Sequence, residues 1–256
     1  MELPGAHGLD LATLRAAIDA LDSELLGLVR KRLALAHDVA RAKAAAGETG
    51  FGFRPAREIA IYRRLLAGMS DPAEIEAITA IWRSLVATNL RRQGPLKVVA
   101  AEGACATLAR VHYGDGASIE VVPAMQVVET MGDDAFAVGL TPMIGATPNG
   151  RWWRFLAPSS PKIVAAFPFN TQSTPEALLL ARLEPEKAGQ DTTILSFEVT
   201  PGSPKSVDLL AKQGYAARQL DQDDAIALVA LDGFVGADEI APELPNLRLL
   251  GSYARV

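Results

Sequence analysis

The chain is predicted to be an α plus α/β protein, with an all-helical N-terminal part followed by a smaller-element α/β part. Three observations carry this. Apolar residues recur at three- and four-residue steps up to residue 93, the period of amphipathic helices. Gly94-Pro95 then interrupts the pattern. Beyond it, short runs rich in Val, Ile and Ala alternate with helical stretches, the signature of strands layered with helices.

The first helix carries a seam of Leu11, Leu14, Ile18, Leu21, Leu25 and Leu28, which the same rhythm extends to Arg32, Leu35, Val39 and Lys43. Arg32 and Lys43 differ by about 20° around the axis and lie roughly 16 Å apart along it, so both cations fall on the apolar face. Burying a cation costs several kcal/mol unless an anion pairs with it. Two on one face therefore point to an anionic ligand. Arg15 lies about 100° away from that face. After a Gly-containing turn, Pro55 opens a second helix, and Glu58 falls in its first turn, where the helix dipole favours a carboxylate. The third begins at Ser70-Asp71-Pro72 and presents Ile75, Ile78, Ile81, Trp82, Leu85 and Val86. The amides Asn89 and Gln93 continue its stripe one turn apart.

Beyond residue 95, strands are expected at 97–101, 118–122 and 135–140, with helices around 107–112 and 124–131. Further strands are expected at 162–169, 177–183 and 192–199, then a helix near 206–213 and strands at 225–231 and 247–253.

Residues 10–93 resemble the all-helical chorismate mutase family. The resemblance rests on Leu14-Arg15, Leu21-Asp22, Arg32, Lys43, the run Arg54-Pro55-Ala56-Arg57-Glu58, and Asn89 with Gln93. It implies an intertwined homodimer of three-helix chains that rearranges chorismate to prephenate, with no cofactor, metal or covalent intermediate. The reaction is unimolecular, so the catalyst holds a dianionic substrate in its compact conformer and stabilises charge on the breaking ether oxygen. By the resemblance, Arg32 and Arg15 pair with the carboxylates, Lys43 and Gln93 donate to the ether oxygen, Glu58 accepts from the ring hydroxyl, and Asn89 contacts a carboxylate. Arg15 would reach the partner's pocket. The chain departs from the family at Ile61 and Tyr62, where the best-known members carry an arginine and a glutamate near the substrate.

The C-terminal part resembles a degenerate prephenate dehydratase followed, from about residue 186, by an ACT-like module. This similarity rests on residues 132–139 and on the ending Leu250-Gly251-Ser252-Tyr253. Trp153-Arg154-Phe155 stands where dehydratases carry Thr-Arg-Phe, and Gly139-Leu140-Thr141-Pro142 lacks their Glu-Asn-Thr element. Pro201-Gly202-Ser203-Pro204 replaces a Pro-Gly-Ala-Leu type of effector motif. The expected division is therefore a mutase domain at 1–95 and a non-catalytic domain at 96–256. The alternatives are a bifunctional mutase–dehydratase and a weakly active mutase-like regulatory or binding subunit.

Composition is consistent with this. At 49% hydrophobic and 21% charged, the 256 residues have room for two domains. A net charge of −5 argues against nucleic acid, and its distribution (+2 over residues 1–95, −7 over the rest) favours an anionic substrate in the first part. No apolar run reaches membrane-spanning length. The single Cys105 excludes internal disulfides and points to a reducing, cytoplasmic setting. With scattered His7, His37 and His112 it suggests no metal site.

Overall fold

The computed structural model describes residues 10–47, 52–114, 116–145, 150–169, 174–199, 206–223, 225–240 and 244–254. By contact the chain forms two compact units, residues 1–49 and 50–256.

In the first unit, α1 (Leu11–Ala45) is one uninterrupted helix of 35 residues. Asp10 caps it, accepting from the amides of Ala12 (2.8 Å) and Thr13 (3.0 Å) and from the Thr13 hydroxyl. These bonds hold its carboxyl below the ordinary range. The apolar seam lies open: Leu11, Leu14, Ile18, Leu21, Leu25, Leu28, Leu35 and Val39 are all exposed.

In the second unit, α2 (Pro55–Leu66) begins on its proline and buries Ile59, Tyr62 and Leu66. The α3 helix (Pro72–Gln93) starts at Asp71, whose side chain accepts from the Ala73 amide at 3.0 Å. It buries Ile75, Leu85, Val86 and Leu90, while Ile81, placed on the apolar face by the sequence, is exposed. The elements that follow are β1 (Lys97–Ala101), α4 (Ala104–Tyr113), β2 (Ser118–Val122), α5 (Val127–Met131), β3 (Ala137–Pro142), β4 (Lys162–Phe167) and β5 (Ala177–Ala181). Then come β6 (Asp191–Glu198), α6 (Ser206–Lys212), β7 (Ala217–Gln222), β8 (Ile226–Asp232) and β9 (Arg248–Ala254).

The strands make one nine-stranded mixed sheet in the order β2-β1-β3-β5-β4-β9-β6-β8-β7. Strands β2, β1 and β3 run parallel, β5 runs antiparallel to both β3 and β4, and β9-β6-β8-β7 is antiparallel throughout. The two expected C-terminal pieces are thus continuous, joined where β4 meets β9 in parallel at Ile163 and Gly251. Gly251 has φ +142°, and a Cβ there would lie 2.1 Å from the Ile163 carbonyl oxygen. Only glycine permits so close an approach at that backbone angle.

By contact, the division falls well before the sequence boundary at residue 95. Phe53, Ile59 and Tyr62 from around α2, and Val86 and Leu90 from α3, belong to the same buried cluster as β1, β3, β4 and β5. The edge strand β7 (Ala-Arg-Gln-Leu-Asp-Gln) was not expected, because its polar residues show no apolar alternation. The opposite edge, β2, is likewise largely exposed.

Candidate active site

The α1 helix carries Arg15, Arg32 and Lys43 on a single continuous rod, as the seam predicts. Arg15 is exposed and Arg32 half-buried. The other three candidates belong to the second unit, and each is placed by its helix.

Glu58 sits in the first turn of α2 but faces inward and is buried. One carboxyl oxygen, Oε2, is enclosed without a hydrogen-bond partner. Desolvation raises its pKa to about 8. It is therefore mainly protonated at neutral pH. A neutral carboxyl there can donate its O–H and still accept through its carbonyl oxygen, whereas a carboxylate could only accept. Tyr113 is close enough for the Glu58 charge to oppose ionisation of its own buried hydroxyl, raised well above the ordinary phenol value chiefly by burial.

Asn89 is partly buried on α3, and its Oδ1 also lacks a partner. An unpaired buried amide oxygen costs about 1–3 kcal/mol, so it marks a position awaiting a donor. Gln93, at the last turn of α3, lies against the backbone before α2: a Cβ on Gly52 would come within 1.6 Å of its Oε1. Of the two family departures, Tyr62 is fully buried and packs against Phe169 with ring centroids 5.8 Å apart, and Ile61 is partly exposed. Tyr62 is thus part of the core of the second unit.

Trp153 has a structural task. It is buried in a short turn (Trp152–Phe155), and its indole N–H donates to Asp221 of β7 at 3.2 Å, while Trp152 donates to the Pro142 carbonyl at 3.1 Å. Arg151 also pairs with Asp221 at 2.9 Å, and these bonds hold that carboxyl below its usual range. The Pro201–Pro204 segment falls outside the described residues. Cys105 is buried, and burial pushes its thiol up to about 11, so it is no nucleophile at neutral pH. Among the described residues no cluster of three or more His, Cys, Asp or Glu side chains is placed to hold a metal ion. No described helix is long and apolar enough to cross a membrane.

Compared with known proteins, residues 14–94 match the family model for chorismate mutase type II. That span contains all six candidate residues. The bifunctional chorismate mutase/prephenate dehydratase of Stutzerimonas stutzeri is 30% identical over 110 residues, which is 41% of this chain and 30% of that protein. Its counterpart in Neisseria gonorrhoeae (strain ATCC 700825 / FA 1090) is 30% identical over 112 residues, covering 43% and 30%. The chain thus matches about 30% of the length of these curated relatives. Among solved structures, one described as GqqA, a novel type of quorum quenching acylases, aligns with TM-score 0.44 at 16% identity, covering 64% of this chain and 97% of that one. A prephenate dehydratase from Streptococcus mutans aligns with TM-score 0.41 at 11% identity, covering 63% and 100%.

Proposed function

We propose that this chain is a chorismate mutase that rearranges chorismate to prephenate within phenylalanine and tyrosine biosynthesis in the cytoplasm. One observation carries the reading: the chorismate mutase match over residues 14–94 encloses the polar set that interrupts the apolar seams. In this reading Arg32 and the Arg15 of a second copy hold the substrate carboxylates through bidentate guanidinium contacts. Lys43 and Gln93 stabilise the charge that builds on the ether oxygen, and such stabilisation counts most in a site closed to water. Asn89 donates its side-chain amide N–H to a carboxylate. The protein acts as a homodimer with shared sites and needs no cofactor.

Residues 96–256 are non-catalytic in this reading. Trp153 occupies the place of a catalytic hydroxyl, and its indole N–H is already committed to Asp221. Following chorismate loss and product identity with the purified chain tests the proposal. Prephenate should accumulate without enzymatic phenylpyruvate; phenylpyruvate forming faster than in buffer would favour the bifunctional alternative. A second reading, a weakly active mutase-like binding subunit, draws support from Glu58, which is buried and neutral where the resemblance implies a carboxylate acceptor. Chorismate bound without turnover would favour it.

A further inference from the structure

A cavity within residues 50–256, of about 60 Å³, shares no residue with the six mutase candidates. It opens between Tyr62 of α2, Thr79 and Arg83 of α3, His112 of α4, and Phe167 and Phe169 at the end of β4. Thr79 and Arg83 precede Asn89 and Gln93 by ten residues, roughly 15 Å along the helix.

The lining combines an apolar cage with unused polar groups. His112 stacks on Phe167 with centroids 4.4 Å apart, and Phe169 stands edge-on to both rings at 5.5 and 4.5 Å. The His112 side chain is only 7% exposed, yet its Nε2 has no hydrogen-bond partner, and neither has the buried Thr79 hydroxyl. Arg83 makes no hydrogen bond or ion pair among the described residues. Buried polar atoms in a core are normally satisfied, and two orphans beside an unpaired guanidinium constitute an unfilled recognition set.

We propose that this cavity binds a small 2-hydroxy monocarboxylate. Its carboxylate pairs with Arg83 and the Thr79 hydroxyl, its own hydroxyl donates to His112 Nε2, and its carbon atoms rest on the Phe167 and Phe169 rings. Size agrees: at about 12 Å³ per enclosed water centre, the cavity holds about five waters, the space of a three-carbon acid. Charge agrees as well. Burial, with the nearby Arg83 charge, depresses the His112 pKa to about 3, so the imidazole is neutral and the site offers one positive charge. A monoanion matches that better than a phosphate dianion, and the aromatic walls favour carbon over bare inorganic anion.

Calorimetric titration of the full chain with lactate, propionate and inorganic phosphate tests the assignment. Lactate should bind saturably and at least tenfold more tightly than propionate, which lacks the hydroxyl, and phosphate should not compete. Arg83→Gln should weaken lactate at least tenfold while cooperative unfolding is retained. His112→Phe, which keeps the ring stack, should bring lactate down to the level of propionate; if that variant fails to fold, the wild-type lactate-to-propionate ratio decides the role of His112. Absence of saturable lactate binding, equal binding of lactate and propionate, preferential phosphate binding, or unchanged affinity in Arg83→Gln would each overturn the proposal. None of these outcomes depends on chorismate turnover.

Discussion

The first helix and the sheet treat their apolar residues in opposite ways. Every inner position of β3, β4 and β5 is buried, and the sheet closes its own core with α2, α3 and α4. In α1, eight large aliphatic side chains stand exposed along one seam. Helical stability in proteins comes mostly from packing an amphipathic face, and a seam of this length is a surface that needs covering. Residues 50–256 have a core in the single chain; in the proposed function α1 carries Arg15, Arg32 and Lys43, and a second copy covers its seam. Stability and activity should therefore respond to different substitutions.

The largest expected effect lies in the sheet. Gly251→Ala places a methyl against the Ile163 backbone at a φ of +142°. Backbone strain and overpacking each cost about 1–3 kcal/mol, so a loss of about 3 kcal/mol or more in denaturant unfolding is expected. A change below 1 kcal/mol would mean that the β4–β9 junction does not hold the two halves of the sheet together.

On α1 the balance reverses. Arg32→Ala and Lys43→Ala should each lower turnover at least 100-fold, about 2.7 kcal/mol of transition-state stabilisation, with circular dichroism unchanged. Near-native rates in either variant would remove the charge geometry from the account.

Two buried groups should give the second unit opposing pH dependences. Glu58 holds its proton to about pH 8 in the fold but to about 4.5 when unfolded, so it lowers stability as pH rises through that window. His112 stays neutral down to about pH 3, against about 6.5 unfolded, so it lowers stability as pH falls through that window. Each slope approaches about 1.4 kcal/mol per pH unit at most, and between pH 4.5 and 6.5 the two oppose each other. Thermal unfolding across pH should show Glu58→Gln relieving the alkaline decline and leaving the acid one. A parallel decline in wild type and variant would show that Glu58 ionises normally.

A smaller effect separates position from fold at Gln93. Gly52→Ala forces the Gln93 amide aside, and because that amide is the end of a flexible side chain the fold should lose less than about 0.5 kcal/mol. Turnover should nevertheless fall roughly tenfold, about 1.4 kcal/mol. Unchanged turnover would detach Gln93 from the reaction.

The helices were legible in sequence because their signals are local: the 3.6-residue seam of α1, Pro55 in the first turn of α2, and the Asp71 cap of α3. The strands from β1 to β6, with β8 and β9, followed from β-branched and aliphatic runs. The exception, β7, is an exposed edge whose pairing with β8 leaves no apolar pattern. Continuity of the sheet was hidden too, since the β4–β9 contact joins residues far apart in sequence through one glycine. At the site, the odd residues of the seams stood out, but the state of Glu58 did not. Its first-turn position reads as a carboxylate favoured by the helix dipole, and only the packing of α2 shows that it faces inward. The aromatic cavity was invisible for the same reason: His112 looked like one of three scattered histidines until α4 and β4 brought it onto Phe167 and Phe169.

The claim that α1 works with a second copy has a direct test in subunit mixing. Arg15→Ala and Lys43→Ala homodimers should each be nearly inactive. Mixed under conditions of subunit exchange, they should recover activity, approaching one quarter of the wild-type level per total site when exchange is random. That recovery follows because half of the dimers are mixed, and each mixed dimer rebuilds one intact pocket from the unaltered Arg15 of one chain and the unaltered Lys43 of the other. No recovery, with exchange demonstrated on the same sample, would contradict a shared site and confine the reaction to a single chain.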